Sequence, residues 1–136
     1  LWAYVSMRAS LLSAPGAKRL EFVLLTENET PRAIELLAMI THYHHDYGLD
    51  MFHSLPVGQS WLDGANCDHL LVSLPYPLGP DIEVCCLRDE HVQILWLLPI
   101  TSAEADFKKT NGIDALEEKF DEAAIEYWRI DRESVV

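Results

Sequence analysis

The segment from His91 to Thr101, HVQILWLLPIT, most constrains how this 136-residue chain can fold. Seven of its eleven residues are large and apolar, and no Asp, Glu, Lys or Arg falls between His91 and Glu104. A short apolar run with β-branched and aromatic members is typical of a strand buried on both faces. Pro99 is expected to end the strand, and Thr101 with Glu104 has the pattern of a capping box. We therefore predict a central strand that leads directly into a helix.

Length and composition favour one domain, residues 1–136, with a substantial core, because 49% of the residues are hydrophobic and 24% are charged. No apolar run approaches the roughly 20 residues needed to span a bilayer. The first twelve residues lack the basic start and cleavage site of a signal peptide. The chain begins with Leu1 rather than Met, so we expect it to be a fragment or a processed form.

The net charge of −12 comes from 22 acidic and 10 basic residues and disfavours binding to nucleic acid. Solubility is a sufficient explanation of this charge, although it would also suit a basic protein partner. The three cysteines, Cys67, Cys85 and Cys86, form no CxxC motif and are expected to be buried small hydrophobes in a reducing compartment. We therefore predict a cytoplasmic protein without a cofactor.

Periodicity predicts five strands, at Trp2–Met7, Leu20–Thr26, His69–Leu74, Ile82–Leu87 and Val92–Leu98. The last three are expected to form an antiparallel meander, with a short hairpin connection between the final two. Helices are predicted at Pro31–Tyr47, Glu104–Lys109 and Asp114–Tyr127.

The same patterns also predict the ends and buried faces of two helices and the state of the tail. Thr30 is expected to cap the first helix and Gly48 to end it, with an apolar stripe made of Leu36, Leu37, Ile40, Tyr43, His44 and Tyr47. Asp114 and Glu117 are expected to cap the last helix, whose buried side would carry Ile113, Leu116, Phe120, Ala123 and Tyr127. The tail from Asp131 to Val136 is expected to fray.

A histidine cluster is the first candidate for chemistry. His42, His44 and His45 lie together, and His42 with Asp46 has the i, i+4 spacing that places two ligands on one helix face. However, there is no HExxH motif and no cysteine pair to complete a tetrahedral site. A solvated helix end with one packed histidine is the better interpretation, and we predict no metal site.

A nucleophilic set is the second candidate, built from Cys67, His53 and Asp63. No glycine-flanked elbow surrounds Cys67, and no glycine-rich phosphate loop occurs anywhere in the chain. The carboxylates after Thr101 do not converge as an acid–base pair. We predict that the protein is not an enzyme. The alternative is a small metal-dependent or Cys/His hydrolase that uses His53 and His69.

Five parts of the chain carry a family pattern in sequence order: Glu21–Leu25 followed by Ile34–Leu37, Phe52–Gly58, His69–Pro75, Val92–Glu104, and Gly112–Phe120. They resemble the suppressor-of-fused domain family, in which the loop reads GHTIPNG and an apolar strand ends in a proline. The strand–helix junction of that family reads V-x-FLQVIPL-x-x-x-E, and the later helix reads G-x-x-AL-x-x-x-F. One departure from the pattern matters for the loop, because Phe52 stands where the family usually has glycine.

The resemblance implies a non-enzymatic, mixed α/β (α+β) protein-binding domain with a largely antiparallel sheet covered by helices. The animal family member holds zinc-finger transcription factors of the Hedgehog pathway by pairing with an extended peptide, and some bacterial relatives are thought to be immunity proteins. We therefore expect capture of an extended segment at a sheet edge, with a toxin as one possible partner. The predicted partner-binding residues lie in or near the loop: His53, Leu55, Pro56, Trp61 and Asp63. His53 could equally hold the loop through backbone hydrogen bonds.

Overall fold

The structure is a computed structural model that describes residues 1–12, 15–58 and 63–136. Its strands are β1 (Trp2–Val5), β2 (Leu20–Thr26), β3 (Ser54–Pro56), β4 (His69–Ser73), β5 (Val84–Leu87) and β6 (Glu90–Ile100). Its α-helices are α1 (Ala9–Leu12), α2 (Pro31–Tyr47), α3 (Ser102–Asn111) and α4 (Ile113–Ala123), with 3-10 turns at Tyr76–Leu78 and Pro80–Ile82. No described helix is both long and apolar enough to cross a membrane.

The six strands form one mixed sheet in the order β1-β2-β6-β4-β3, with β5 also paired to β6. The β1–β2, β3–β4 and β5–β6 pairs are antiparallel, whereas β2 runs parallel to β6, with Leu20 opposite Gln93. The predicted fold class, a mixed and largely antiparallel sheet with helices, is confirmed. The hairpin between β5 and β6 is also as predicted. The meander is wrong at its first strand, because β4 pairs with β6 and not with β5.

The central strand β6 and its junction with α3 follow the prediction closely. Every residue from Leu95 to Ile100 is buried. The Thr101 Oγ1 accepts from the Glu104 N–H at 3.2 Å, and the Thr101 N–H donates to Glu104 Oε2 at 2.8 Å, which completes the capping box. The expectation that Pro99 ends the strand is wrong, because β6 continues through Pro99 to Ile100. A proline removes only its own N–H donor from a strand. The Pro99 carbonyl accepts from Arg132 Nη2 at 3.1 Å.

The chain divides into two compact units, and the predicted single domain 1–136 stays a prediction. The first unit comprises Leu1–His53 and Val72–Leu97. In it α2 packs against β1, β2 and α1. Thr30 caps α2 and Gly48, at φ 73°, ends it, as predicted. The predicted stripe is wrong at Tyr43 and Tyr47, which are exposed. The buried residues of α2 are Ala33, Leu36, Leu37, Ile40 and His44.

The second unit comprises Ser54–Leu71 and Leu98–Val136. Its helix α4 begins at Ile113 with Gly112 as its N-cap and has no side-chain capping bond. The predicted cap at Asp114 is wrong, because Gly112 both ends α3 and starts α4 and so places Asp114 inside the first turn. The helix also ends earlier than predicted, at Ala123, before Ala124 in the left-handed conformation. Leu116 and Phe120 are buried as expected, but Ala123 is exposed.

The C-terminal tail, residues 129–136, is fixed, so the prediction of fraying is wrong. Arg132 donates from Nη1 to Glu104 Oε1 at 2.6 Å and from Nη2 to Glu104 Oε2 at 2.8 Å. The Val135 N–H adds a bond of 3.1 Å to Glu104 Oε1. The side chain of Glu104 is fully buried, and that of Arg132 is 8% exposed. The Ile130 carbonyl accepts from the backbone of Cys67 at 2.9 Å, so the tail is also held beside the start of β4.

Candidate partner-binding site

The turn after α2, Gly48–His53, places His53 at the surface. His53 Nδ1 accepts from the Asp50 N–H at 3.1 Å, and the His53 N–H donates to the Asp50 carbonyl at 3.2 Å. The His53 carbonyl accepts from the Val72 N–H at 2.8 Å. Lys18 Nζ, 3.0 Å from Asp50 Oδ1, and the Met51 N–H lower the pKa of Asp50. These bonds support the loop-holding interpretation of His53, and they leave its ring exposed for a further contact.

His44 anchors the same turn from inside. It is fully buried, and its Nδ1 accepts from the Leu49 N–H at 2.8 Å. Its Nε2 lies 3.1 Å from the Lys18 carbonyl, so the tautomer with hydrogen on Nε2 satisfies both bonds. Its ring meets Phe22 edge-on. His44 is thus the packed histidine that the sequence favoured.

His42 and His45 are exposed, and His45 Nδ1 contacts the Leu12 carbonyl. Within residues 1–12, 15–58 and 63–136 no group of three or more His, Cys, Asp or Glu side chains is arranged to hold a metal ion. The histidine cluster therefore divides into one structural residue and two surface residues.

Phe52 adopts φ 67°, in the left-handed region that favours glycine. Its N–H donates to the Val72 carbonyl at 2.7 Å, which fixes the backbone beside the end of β4. A non-glycine residue in this region carries a strain of roughly 1–2 kcal/mol. The departure from the family pattern at this position thus puts a phenylalanine into a backbone conformation that glycine adopts without strain.

Strand β3 lies at one end of the sheet order and carries the next predicted residues. Leu55, 7% exposed, packs into the core opposite Leu70, whereas Pro56 and Asp63 are exposed. The Val57 N–H donates to the Asp68 carbonyl at 2.8 Å. Because alternate residues of an antiparallel strand bond its neighbour, Leu55 and Val57 direct their backbone groups towards β4. Ser54 and Pro56 direct theirs outward. Because proline has no N–H, this outer edge presents a single strand donor, the Ser54 N–H. Trp61 lies outside the described residues.

Strand β1 lies at the opposite end of the order and has a different edge. The Ser6 N–H donates to the Phe22 carbonyl at 2.8 Å, and Tyr4 lies opposite Leu24, so alternate residues bond β2. Ala3 and Val5 therefore direct their N–H and C=O groups outward. Within the described part of the chain, no strand pairs with this side of β1.

An apolar cleft of about 590 Å³ adjoins β1 in the first unit. Its walls include Met7, which is 87% exposed, and Ile34, which is 62% exposed. The cleft is lined by Tyr4, Val5, Ser6, Met7, Leu12, Ile34, Leu37, Ala38, Thr41, His42 and His45. Sequence reasoning missed it. The signal that could have found it is Ile34 with Ala38, which continue the apolar surface of α2 beyond the predicted stripe.

The residues proposed for a hydrolase do not form an activated nucleophile. Cys67 is fully buried, and this burial raises the pKa of its thiol to about 11. The thiol is therefore protonated at neutral pH, whereas catalytic cysteines act as thiolates. His69 Nδ1 lies 2.9 Å from Asp68 Oδ1, a local pair at the start of β4. The expectation of buried cysteines is confirmed for Cys67 and wrong for Cys86, which is exposed on β5.

The mixed sheet and its helices define an α+β domain. The chain belongs to the suppressor of fused protein family, whose model matches residues 1–133. The family resemblance read from the sequence is thereby confirmed. This family is one of protein-interaction domains and is not a known enzyme family.

Three solved structures are similar to the chain. A putative suppressor of fused homologue from Neisseria gonorrhoeae is 36% identical, with a TM-score of 0.85 over 99% of this chain and 70% of that one. Drosophila Suppressor of Fused is 14% identical, with a TM-score of 0.75 over 98% of this chain and 38% of that one. A chain of the Sufu–Fu complex is 15% identical, with a TM-score of 0.60 over 87% of this chain and 57% of that one. A comparison with curated proteins found no match.

Proposed function

We propose that this chain is a non-enzymatic domain that captures an extended segment of a partner protein at an edge of its sheet. The observation that carries the proposal is the outer edge of β1, which presents the alternating backbone groups of Ala3 and Val5 beside an apolar cleft. The chain belongs to the suppressor of fused family, and a chain of the Sufu–Fu complex is among the similar structures. Both findings support a protein as the partner.

The chemistry of this edge explains both affinity and choice. An added strand would bond to the outward N–H and C=O groups of Ala3 and Val5, which gives affinity without regard to sequence. Side chains at alternate positions of that strand would reach the cleft beside Met7 and Ile34, and the apolar walls there favour apolar side chains. The edge contains no proline, so nothing interrupts the ladder between residues 2 and 5.

The loop residues predicted from the sequence have a complementary role in this proposal. The outer edge of β3 offers a single backbone N–H donor, so we propose that it contributes side-chain contacts rather than a ladder of backbone hydrogen bonds. His53, Pro56 and Asp63 are exposed and can touch a partner, and Trp61 is proposed to join them. Leu55 is buried and would act by holding β3 against β4.

A basic partner fits the charge of the chain. The net charge of −12 would attract a basic protein and speed the encounter, and the rate would fall as salt is added. An immunity protein that neutralises a toxin in the cytoplasm is the specific form of the proposal that this charge supports.

The test begins with partner identification and ends with purified proteins. The chain is immobilised, retained proteins from the source organism are identified, and the best candidate is produced and titrated against matched variants. Ile34→Asp at the cleft should weaken binding at least about tenfold, equivalent to about 1.4 kcal/mol. Met39→Asp, at an exposed apolar position on α2 away from the cleft lining, should leave binding unchanged.

Two further variants locate the contact. Val5→Pro removes an outward N–H and should weaken binding, whereas Val5→Thr keeps that N–H and should not. The double variant His53→Ala with Trp61→Ala tests the loop. If the wild type retains no protein specifically, or if Ile34→Asp and Met39→Asp bind equally well, the edge-capture proposal fails.

A further inference from the structure

The β5–β6 hairpin carries an exposed thiol in contact with an imidazole. Cys86 Sγ lies 3.2 Å from His91 Nδ1, and the two residues are directly opposite each other. The Ile94 N–H donates to the Glu83 carbonyl at 2.8 Å, so Cys86 and His91 form a non-hydrogen-bonded pair. Side chains approach most closely in such pairs. The register of two strands therefore builds this contact.

The other two cysteines lie in different surroundings. Cys85 points to the opposite face of β5 and is half-buried. Cys67 is fully buried in the second unit. Cys86 is an exposed residue whose sulfur lies within hydrogen-bond reach of an imidazole, an arrangement in which the imidazole can take up the proton of the thiol.

We propose that Cys86 is a thiol–disulfide exchange site that takes a low-molecular-weight disulfide, with His91 as the base. His91 Nδ1 accepts the proton of the Cys86 thiol, and the thiolate attacks one sulfur of the disulfide. The sulfur–sulfur bond of the reagent breaks, and the leaving thiolate takes the proton back from His91. One mixed disulfide on Cys86 and one free small thiol result, so atoms and electrons balance.

The position of Cys86 gives this modification a consequence. Since Glu83 and Cys85 direct their backbone groups towards β6, Cys86 directs its own outward along the edge of β5. Exposed Val84 and Leu87 flank it on the same strand. A bulky adduct on Cys86 would obstruct strand addition at this edge, and a reducing thiol would remove it. This inference is independent of the capture proposed at β1.

The experiment treats the full chain with oxidised glutathione at pH 7 and follows adducts by intact mass and peptide mapping. Cys86 should be modified before Cys85 and Cys67, and Cys86→Ser should remove the first adduct. His91→Ala should slow the reaction at least about tenfold. Added imidazole should restore the rate in His91→Ala more than in the wild type, an effect that a purely structural role would not produce.

His69→Gln, which changes a histidine outside the β5–β6 hairpin, is the matched control and should react like the wild type. Thermal unfolding of each variant checks that the fold is retained. Because Cys86 and His91 are both exposed, little loss of stability is expected when either is changed. A first adduct on Cys85 or Cys67, an unchanged rate in His91→Ala, or no rescue by imidazole would overturn the proposal.

Discussion

The C-terminal tail and the turn after α2 are both irregular segments, yet they are held by different forces. The tail is fixed by Arg132, which forms a two-pronged ion pair with the buried Glu104. The turn is fixed by two imidazoles: Nδ1 of buried His44 accepts from the Leu49 N–H, and Nδ1 of exposed His53 accepts from the Asp50 N–H. An irregular stretch can thus be as integral to the core as a helix, and only its partners show which kind it is.

The difference lies in what remains when one partner is removed. Loss of Arg132 would leave a charged carboxylate in the interior, and a buried charge without a partner is costly. Loss of the His53 ring would leave one backbone N–H at the surface, where water can replace the bond. The following variants rank these costs.

The largest effect is expected for Arg132→Ala. The free energy of unfolding should fall by about 3–5 kcal/mol, because Glu104 then lies buried without its cation. Urea unfolding measures the change. Arg129→Ala is the control, since Arg129 pairs with Glu126 and Asp131 at the surface and should cost less than about 1 kcal/mol. Equal losses of unfolding free energy in the two variants would show that the buried pair stabilises the fold no more than the surface pair does.

The next effect is expected in the reactivity of Cys67. Burial raises the pKa of this thiol to about 11, and the charge of Arg132 offsets part of that rise. Removing Arg132 would by itself make the thiol still less reactive. Arg132→Ala should nevertheless speed labelling of Cys67 by a maleimide about a hundredfold, because the tail that covers it opens more often. Labelling in His53→Ala should match the wild type, and a slower rate in Arg132→Ala would contradict tail opening.

A smaller effect is expected for His44→Ala, at about 2–3 kcal/mol. The variant removes the hydrogen bonds that the His44 ring makes with the Leu49 N–H and the Lys18 carbonyl, and it opens a cavity beside Phe22. Thermal unfolding gives the loss as a lower Tm. His42→Ala, at an exposed position, should leave the Tm nearly unchanged. An unchanged Tm in His44→Ala would show that His44 does not hold the turn.

The smallest effect on stability is expected for His53→Ala, at less than about 1 kcal/mol. If His53 touches a partner, binding should fall while the urea midpoint stays nearly constant. A calorimetric titration against the identified partner, run beside an unfolding curve, separates the two roles. A large loss of stability with unchanged binding would assign His53 to the loop alone.

Local patterns predicted the elements well, because their causes lie within a few residues. The bounds of α2 follow from Thr30, Pro31 and Gly48, and the start of α3 follows from the capping box of Thr101 with Glu104. These signals act through bonds between neighbours in the sequence.

Long-range partners escaped prediction for the same reason. Nothing in the tail reveals that Arg132 meets Glu104, and nothing in the strand sequences reveals that β2 runs parallel to β6. The loop Phe52–Gly58 could be nominated from its likeness to the GHTIPNG pattern of the family. The β1 cleft, in contrast, exists only because Met7 and Ile34 are brought to one surface by the pairing of strands and the packing of α2.

The parallel pairing of β2 with β6 also bears on how the chain reaches its fold. Leu20 finds its partner at Gln93, so α2 and the three strands that follow must be synthesised before the centre of the sheet can close. Until then β2, buried along nearly its whole length in the finished structure, has β1 as its one strand neighbour among the described strands. Such pairings between distant parts of the sequence slow folding and prolong the exposure of apolar, unpaired strands. We expect refolding on the slow side for this size, with aggregation competing at high concentration.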